Sequence, residues 1–502
     1  MQRIWPVAMG LPLLIGVAAL VMGLGFGGLY GQDSFFYQSY ATGAMRAGLP
    51  LSLLWPPDFT WPPGYPMLVA IASLLAGQDS LGGQIVSVIA GALVPVFAAL
   101  LCRELTPRPR WVAPLAGLLV ALSPHLWQSS AVVMSDTTGL AFATGGGWAL
   151  ARFARTGHAP WIVIAAVGLA FAIEVRTAYA LVAVPLAVVA VVVARGIEHP
   201  IRRLAAAALV SALILAPMAL PMLIAVAHGE HVPFAISLSS HGWDPFNAFR
   251  SSFDGPDGHF DFAQPMGLFY LLQPAQPYHL TPAFTLLSIV GGARTIRRPT
   301  AARVGTLVAW PVLMLGFLAG DTTQNTRFAL AVLPPLAILA ALGVAWIAEG
   351  IGRLQPRGRT VANVALATAV TLGLGVMAIE AVRFTSAFIV RQQADLAAVD
   401  RLAARVPNDA RLLSFGATLQ LRHDGRDPVD LYGLAPDEAV ELVSGDRPTY
   451  LLVPLDGLGP QWADAPPGLV LAALRDGPGL IEAAADGAWR LFVVDRGPIL
   501  AR

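Results

Sequence analysis

Gln32-Asp33-Ser34-Phe35-Phe36-Tyr37 follows directly on the first long apolar run of the chain, and behind it come Trp55-Pro56-Pro57 and Trp61-Pro62-Pro63-Gly64-Tyr65-Pro66. A carboxylate at the mouth of an apolar span, backed by two Trp-Pro-Pro corners, predicts a polar centre at the lipid–water boundary. The aromatic residues Tyr37, Trp55 and Trp61 exceed what an interfacial aromatic belt requires.

Composition sets the surroundings of that stretch. Mean hydropathy is +0.64, apolar residues make up 56% of the 502 residues and charged ones 13%, which is the make-up of a polytopic membrane protein rather than a soluble domain. The formal net charge of +1 hides a sorting of charge along the chain, because all 32 basic residues are Arg. A single cysteine, Cys102, excludes an internal disulfide and a Cys-rich metal site. No nucleic-acid partner is expected.

Apolar runs suited to about 30 Å of hydrocarbon fall at 5–30, 80–102, 111–125, 136–153, 159–175, 177–194, 204–227, 281–293, 303–319, 328–348 and 361–383. A further run at 65–77 is short and follows two prolines. Arginine asymmetry orients these spans. With a cytoplasmic N-terminus and 65–77 not crossing, the inner loops collect 16 arginines, among them Arg103, Arg152, Arg155, Arg294 and Arg303. Outer segments before the tail keep 5: Arg46, Arg176, Arg250, Arg327 and Arg383. A crossing at 65–77 would invert every later cluster, so that run is expected to be re-entrant or interfacial. The first run, about 25 residues long, exceeds the usual core of a secretory signal and reads as a signal anchor.

From residue 389 onward the composition changes, and the last 113 residues hold 27 of the 63 charged positions. Short strand-like runs (411–415, 429–432, 450–454, 490–494) alternate with helical stretches near 391–406, 436–444 and 466–475, which predicts a small α/β domain. The expectation is therefore an all-α membrane domain over 1–388, with about eleven transmembrane helices plus interfacial ones, and a soluble domain over 389–502. Eleven crossings place that domain outside. It has no Gly-rich phosphate loop or metal-ligand spacing, and reads as a docking or substrate-positioning module.

The same topology leaves only Glu104, Glu198 and Glu349 inside among the carboxylates of the membrane part; Asp33, Asp136, Glu174, Asp321 and others lie outside. Asp33, Asp136 and Arg176 sit next to or within apolar helices, where an ionised group costs a few kcal/mol unless paired or hydrated. Each has a structural alternative: Asp136 after Ser135 as a helix N-cap, Glu174 with Arg176 as a local ion pair, Asp33 as part of a belt.

In these features the chain resembles the GT-C glycosyltransferases, and within them the protein O-mannosyltransferase and aminoarabinose-transferase-like group (glycosyltransferase family 39-like). The matching positions are Gln32-Asp33-Ser34, the Pro62 to Pro66 corner, Met134-Ser135-Asp136, Arg176, and Arg327-Phe328 leading into Leu333-Pro334-Pro335, in order and on one side. The chain departs from many relatives in one place: Ser34 stands where they have a second acid, which puts a metal site built on a first-loop acid pair in doubt.

The resemblance implies a GT-C fold and transfer of a sugar from a polyprenyl-phosphate donor to a lipid, glycan or protein acceptor at the outer face of the plasma (inner) membrane. Independent chemistry agrees, since nucleotide sugars are not available outside the cell and the short inner loops leave no room for a nucleotide-binding domain. An inverting transfer needs a carboxylate base and cations on the leaving phosphate. Asp33 is the expected base and Arg176 and Arg327 the phosphate partners, because Arg binds phosphate oxygens bidentately. Asp136 either orients the acceptor or, with Asp33, holds a divalent ion. Tyr37, Trp61, Tyr65, Gln324 and Asn325 are expected to touch substrate. The outer loop at 228–280 mixes histidines with aromatics (His228, His259, His279, Trp243, Phe260) and reads as a cover over the site, with zinc binding as the lesser alternative. A transporter or flippase of lipid-linked sugars remains the alternative function, although it calls for ionisable groups near mid-span.

Overall fold

The computed structural model describes residues 4–46, 61–77, 80–106, 109–229, 242–255 and 257–495; Trp55-Pro56-Pro57 and the stretch at 230–241 lie outside the described residues. Each of the eleven apolar runs coincides with a helix. In chain order the first ten helices are α1 (Ile4–Leu24), α2 (Gly31–Arg46), α3 (Gly64–Ala76), α4 (Leu81–Leu105), α5 (Val112–Ala121), α6 (Pro124–Ser130), α7 (Asp136–Thr156), α8 (Ala159–Val175), α9 (Ala180–Ala194) and α10 (Pro200–Ala227). Next come α11 (Met266–Leu272), α12 (Thr281–Arg297), α13 (Ala301–Ala319, with a π turn at Gly305–Ala309), α14 (Leu333–Ile351) and the 48-residue α15 (Pro356–Ala403). Six helical segments of the described residues are long and apolar enough to cross a membrane. Helix α3, with 13 residues, rises only about 20 Å and falls short of the roughly 30 Å hydrocarbon core.

Small residues let the central helices approach closely, as expected where lipid tails give no hydrophobic drive between helices. A Cβ on Gly168 would lie 2.9 Å from the Cα of Gly146, which joins α7 to α8; Gly291 and Gly343 pack on the backbone carbonyls of Leu339 and Leu287, which joins α12 to α14. The buried core runs through α4, α5, α7 and α14. Helices α10 and α15 turn apolar side chains outward, such as Leu209, Leu213, Leu372 and Ile379, an arrangement that only a lipid surround makes favourable.

The C-terminal part contains a five-stranded mixed sheet, order β4-β3-β5-β7-β6, with β3 (Arg411–Ser414), β4 (Val429–Asp430), β5 (Thr449–Pro454), β6 (Leu480–Asp486) and β7 (Trp489–Val494). Its β3 pairs in parallel with β4 and β5, while β5 and β6 flank β7 antiparallel. The sequence reading missed β6, whose Leu-Ile-Glu-Ala-Ala-Ala-Asp has a single β-branched residue, Ile481, and no aromatic one to favour a strand and forms a largely exposed edge. Nor does a linker mark residue 389. Helix α15 continues through it, and Ala398, Val399, Leu402 and Ala403 at its end enter the core of the sheet.

Candidate active site

Three glycines shape the entrance to the site. Gly27, Gly28 and Gly31 all have positive φ (74°, 79° and 56°), a conformation that costs other residues energy. They turn the chain from α1 into α2. The Gly28 carbonyl accepts from the N–H of Val133 at 2.8 Å, so this turn is tied to the segment that leads into Asp136. Asp33 consequently lies in the first turn of α2, and Asp136 opens α7. Both carboxylates stand at helix N-termini, where the helix dipole favours negative charge.

Arg327 reaches this pair from the 3-10 turn Thr326–Val332, whose start is capped by the Asn325 side chain accepting from the Arg327 N–H at 3.0 Å. Its Nη2 donates to Asp33 Oδ2 at 3.0 Å, and its Nε faces Asp136 Oδ2 at 3.6 Å. Arg176, between α8 and the short turn Thr177–Tyr179, donates from Nη1 to Asp136 Oδ1 at 2.5 Å. The result is an alternating ladder, Asp33–Arg327–Asp136–Arg176, drawn from four distant segments. Phe328 supports it: the Arg176 and Arg327 guanidinium carbons lie 4.8 and 5.6 Å from its ring centre. Two atoms of the ladder, Asp136 Oδ2 and Arg327 Nε, are buried and have no hydrogen-bond partner. At 3.6 Å they attract as charges but are too far apart for a good hydrogen bond.

These distances correct two local readings. Ser135 sits at the N-cap position of α7 with no side-chain cap bond, and the Asp136 carboxylate is taken by the two arginines rather than acting as a cap. Arg176 turns to Asp136 and not to Glu174, which lies 3% exposed at the end of α8 with Oε1 unpartnered.

The aromatic candidates lie behind the ladder. Tyr37 is buried, its hydroxyl 3.1 Å from Ser135 Oγ, and burial pushes its phenol up to about 12. Tyr65, also buried, meets Ser87 Oγ at 2.8 Å and burial raises its pKa. The two rings pack edge to face at 5.0 Å, with Trp61 5.5 Å from Tyr37; Trp61 alone of the three keeps a partly exposed side chain. Gln324 donates to the Gln264 carbonyl at 2.7 Å and so joins the site to the segment that precedes α11. The sequence reading missed Tyr30, whose hydroxyl feels the charges of Arg327, Asp136 and Asp33 and whose pKa burial raises. Its only signal is its place, one residue before the Gly31 that opens α2.

The segment between α10 and α11 contains a hairpin, β1 (Ser252–Gly255) with β2 (Gly258–Asp261). It docks on the sheet domain: Tyr432 donates to Asp257 Oδ1 at 3.0 Å and Gln461 to the Asp257 carbonyl at 2.8 Å. Among the described residues no group of three or more His, Cys, Asp or Glu is placed to hold a metal ion.

Superposition decides the fold: a crystal structure of ArnT from Cupriavidus metallidurans bound to undecaprenyl phosphate aligns with a TM-score of 0.62 at 15% identity, over 96% of this chain and 98% of that one. The chain has the GT-C fold. Archaeal oligosaccharyltransferase AglB from Archaeoglobus fulgidus, in complex with an inhibitory peptide and a dolichol-phosphate, also aligns at 0.62 and 13% identity, over 99% of this chain and 75% of that one. By sequence, the family described as dolichyl-phosphate-mannose-protein mannosyltransferase matches residues 60–223, the part that carries Trp61, Tyr65, Asp136 and Arg176. No curated protein matches the sequence.

Proposed function

We propose that this protein is an integral membrane glycosyltransferase that moves a sugar from a polyprenyl-phosphate donor to an acceptor hydroxyl on the extracytoplasmic face of the plasma membrane. One observation carries the reading: Arg327 Nε is buried without a hydrogen-bond partner inside a ladder that places a second guanidinium beside the same carboxylate. A buried cation short of an acceptor is stabilised by an incoming phosphate oxygen, and Arg offers phosphate a planar fork of donors. Undecaprenyl phosphate and dolichol-phosphate in the ArnT and AglB structures support a donor of this class.

The ladder also gives the reaction an order. Without donor, Arg327 holds the Asp33 carboxylate through the hydrogen bond from its Nη2. A donor phosphate competes for the guanidinium and releases the carboxylate. The acceptor oxygen then attacks the anomeric carbon, its proton passes to Asp33, and the bond from that carbon to the phosphate oxygen breaks with its electron pair staying on the phosphate. Arg327 and Arg176 stabilise that charge. Asp136 keeps both arginines in place. A divalent ion between Asp33 and Asp136 does not fit this arrangement, because Arg327 already occupies the position between the two carboxylates.

The test is reconstitution in membranes supplied with a polyprenyl-phosphate sugar, with mass spectrometry of envelope glycolipids and glycoproteins to find the product. Arg176→Ala is expected to raise the apparent KM for donor about tenfold or more, in line with loss of a charge-assisted phosphate contact worth roughly 1.5–3 kcal/mol. Unchanged donor dependence would remove Arg176 from the phosphate site.

A further inference from the structure

A cavity of about 230 Å³ opens where α2, α15 and the sheet domain meet. Its wall includes Gln32, the residue directly before Asp33 in the first turn of α2. Phe35, Trp489 and Gln420 also line it, with Gln392 and Asp395 on the α15 side. Gln32 is fully engaged: its amide donates to the Gly416 carbonyl and accepts from the Leu419 N–H at 3.1 Å. The Gln420 amide donates to the Leu396 carbonyl and to Asp400. Gln392 and Asp395, half-buried and one helical turn apart on the same face, show no hydrogen bond or ion pair among the described residues.

We infer that this cavity binds one neutral sugar ring of a saccharide acceptor, an inference that rests on the transferase reading and specifies its acceptor. A pyranose presents hydroxyls around its edge and C–H groups on its faces. The open carboxylate of Asp395 and the open amide of Gln392 suit the first, and Trp489 and Phe35 suit the second. No Arg or Lys lines the cavity, which disfavours phosphate or any other anion beside Asp395. At about 230 Å³ it is below the roughly 300 Å³ lower bound of drug-sized pockets, a size for a single ring rather than a lipid chain. The wall belongs partly to the sheet domain, which gives that domain a share in acceptor choice.

The experiment uses the full-length protein in nanodiscs and saturation-transfer NMR with maltose, cellobiose and mannobiose as probes, and tri-lysine as the competing class. At least one disaccharide is expected to give a signal that falls fivefold or more in Gln392→Ala and Asp395→Ala. Asp395→Asn, which keeps the shape of the side chain, is expected to lose at least half of it. Asp33→Asn is expected to retain it. A disaccharide signal that is absent, or equal in wild type and Asp395→Asn, overturns the proposal, as does a tri-lysine signal lost in Asp395→Ala. Transfer from a polyprenyl-phosphate sugar without any disaccharide signal sinks this site alone. A disaccharide signal without such transfer sinks the transferase reading and leaves a sugar-binding site.

Discussion

Replacing each carboxylate of the ladder by its amide separates the roles that the geometry assigns to them. The Asp33 side chain is 34% exposed and holds one arginine, at 3.0 Å, whereas that of Asp136 is 5% exposed and holds two, at 2.5 and 3.6 Å. With an effective dielectric of about 20, unit charges at those two Asp136 distances attract by about 7 and 5 kcal/mol before desolvation is counted. Removing one partner of a buried pair costs about 3–5 kcal/mol net, because the other charge stays buried and unpaired. Asp136→Asn leaves two guanidiniums in that position, so a loss of about 3–5 kcal/mol is expected. Asp33→Asn leaves Arg327 still facing Asp136, and the half-exposed Asp33 carboxylate is partly screened by solvent, so a loss of about 1 kcal/mol is expected. Activity should show the opposite sensitivity relative to stability. Asp33→Asn removes the base and should lower turnover by about 10²–10⁴ in a protein of nearly wild-type stability. The lone buried thiol, Cys102, supplies the stability assay, since a thiol-reactive fluorophore reports unfolding on heating in detergent. Equal melting temperatures for the two variants, or wild-type turnover by Asp33→Asn, would refute the division between a base and an anchor.

Two further outcomes follow from the same geometry. A Cβ on Gly64 would lie 2.6 Å from the Glu174 carbonyl oxygen and 2.9 Å from the Val175 nitrogen, backbone atoms that cannot rotate away. Gly64→Ala should therefore cost about 1–3 kcal/mol of overpacking and lower the melting temperature, while Gly43→Ala, which meets nothing within 4 Å, serves as the helix-propensity control; equal shifts would count against close packing of α3 on α8. On the hairpin of β1 and β2, His259 Nδ1 lies 2.7 Å from Asp254 Oδ1, and that hydrogen bond raises the imidazole pKa above its ordinary 6.5. A raised folded-state pKa means that the pair's contribution is fully present below about 6.5 and is lost as pH rises through the folded value. An NMR titration should place His259 above 6.5 in the wild type and lower in Asp254→Asn; identical curves would show that the pair does not form in solution.

Much of the architecture was legible in the sequence, because its cause is local. A run of apolar residues long enough to span lipid must be helical whatever surrounds it, since the bilayer offers its backbone no other hydrogen-bond partner, and each of the eleven runs is a helix. The candidate site was legible as residue types at helix ends: Asp33 and Asp136 open α2 and α7, and Arg176 and Arg327 stand at the heads of α9 and α14. The strand β6 was not legible, since an Ala-rich edge gains its place from pairing with β7 rather than from its own propensity. Nor was the burial of Tyr37 and Tyr65 against serines of α4 and the α7 entrance, which depends on where other helices pass.

By itself, then, the sequence determined which segments are helices, that they belong in lipid, and which charged side chains must stand at their ends. Only the tertiary structure decided which charge meets which. Glu174 and Arg176 are two residues apart and were natural partners on paper, yet residues at that spacing point to different sides of a helix end. Arg176 pairs instead with Asp136, 40 positions away, and Arg327 with Asp33, 294 positions away. A buried ion selects its partner by distance in space within a medium of low dielectric, and that distance is set by helix packing, which no local run of residues encodes.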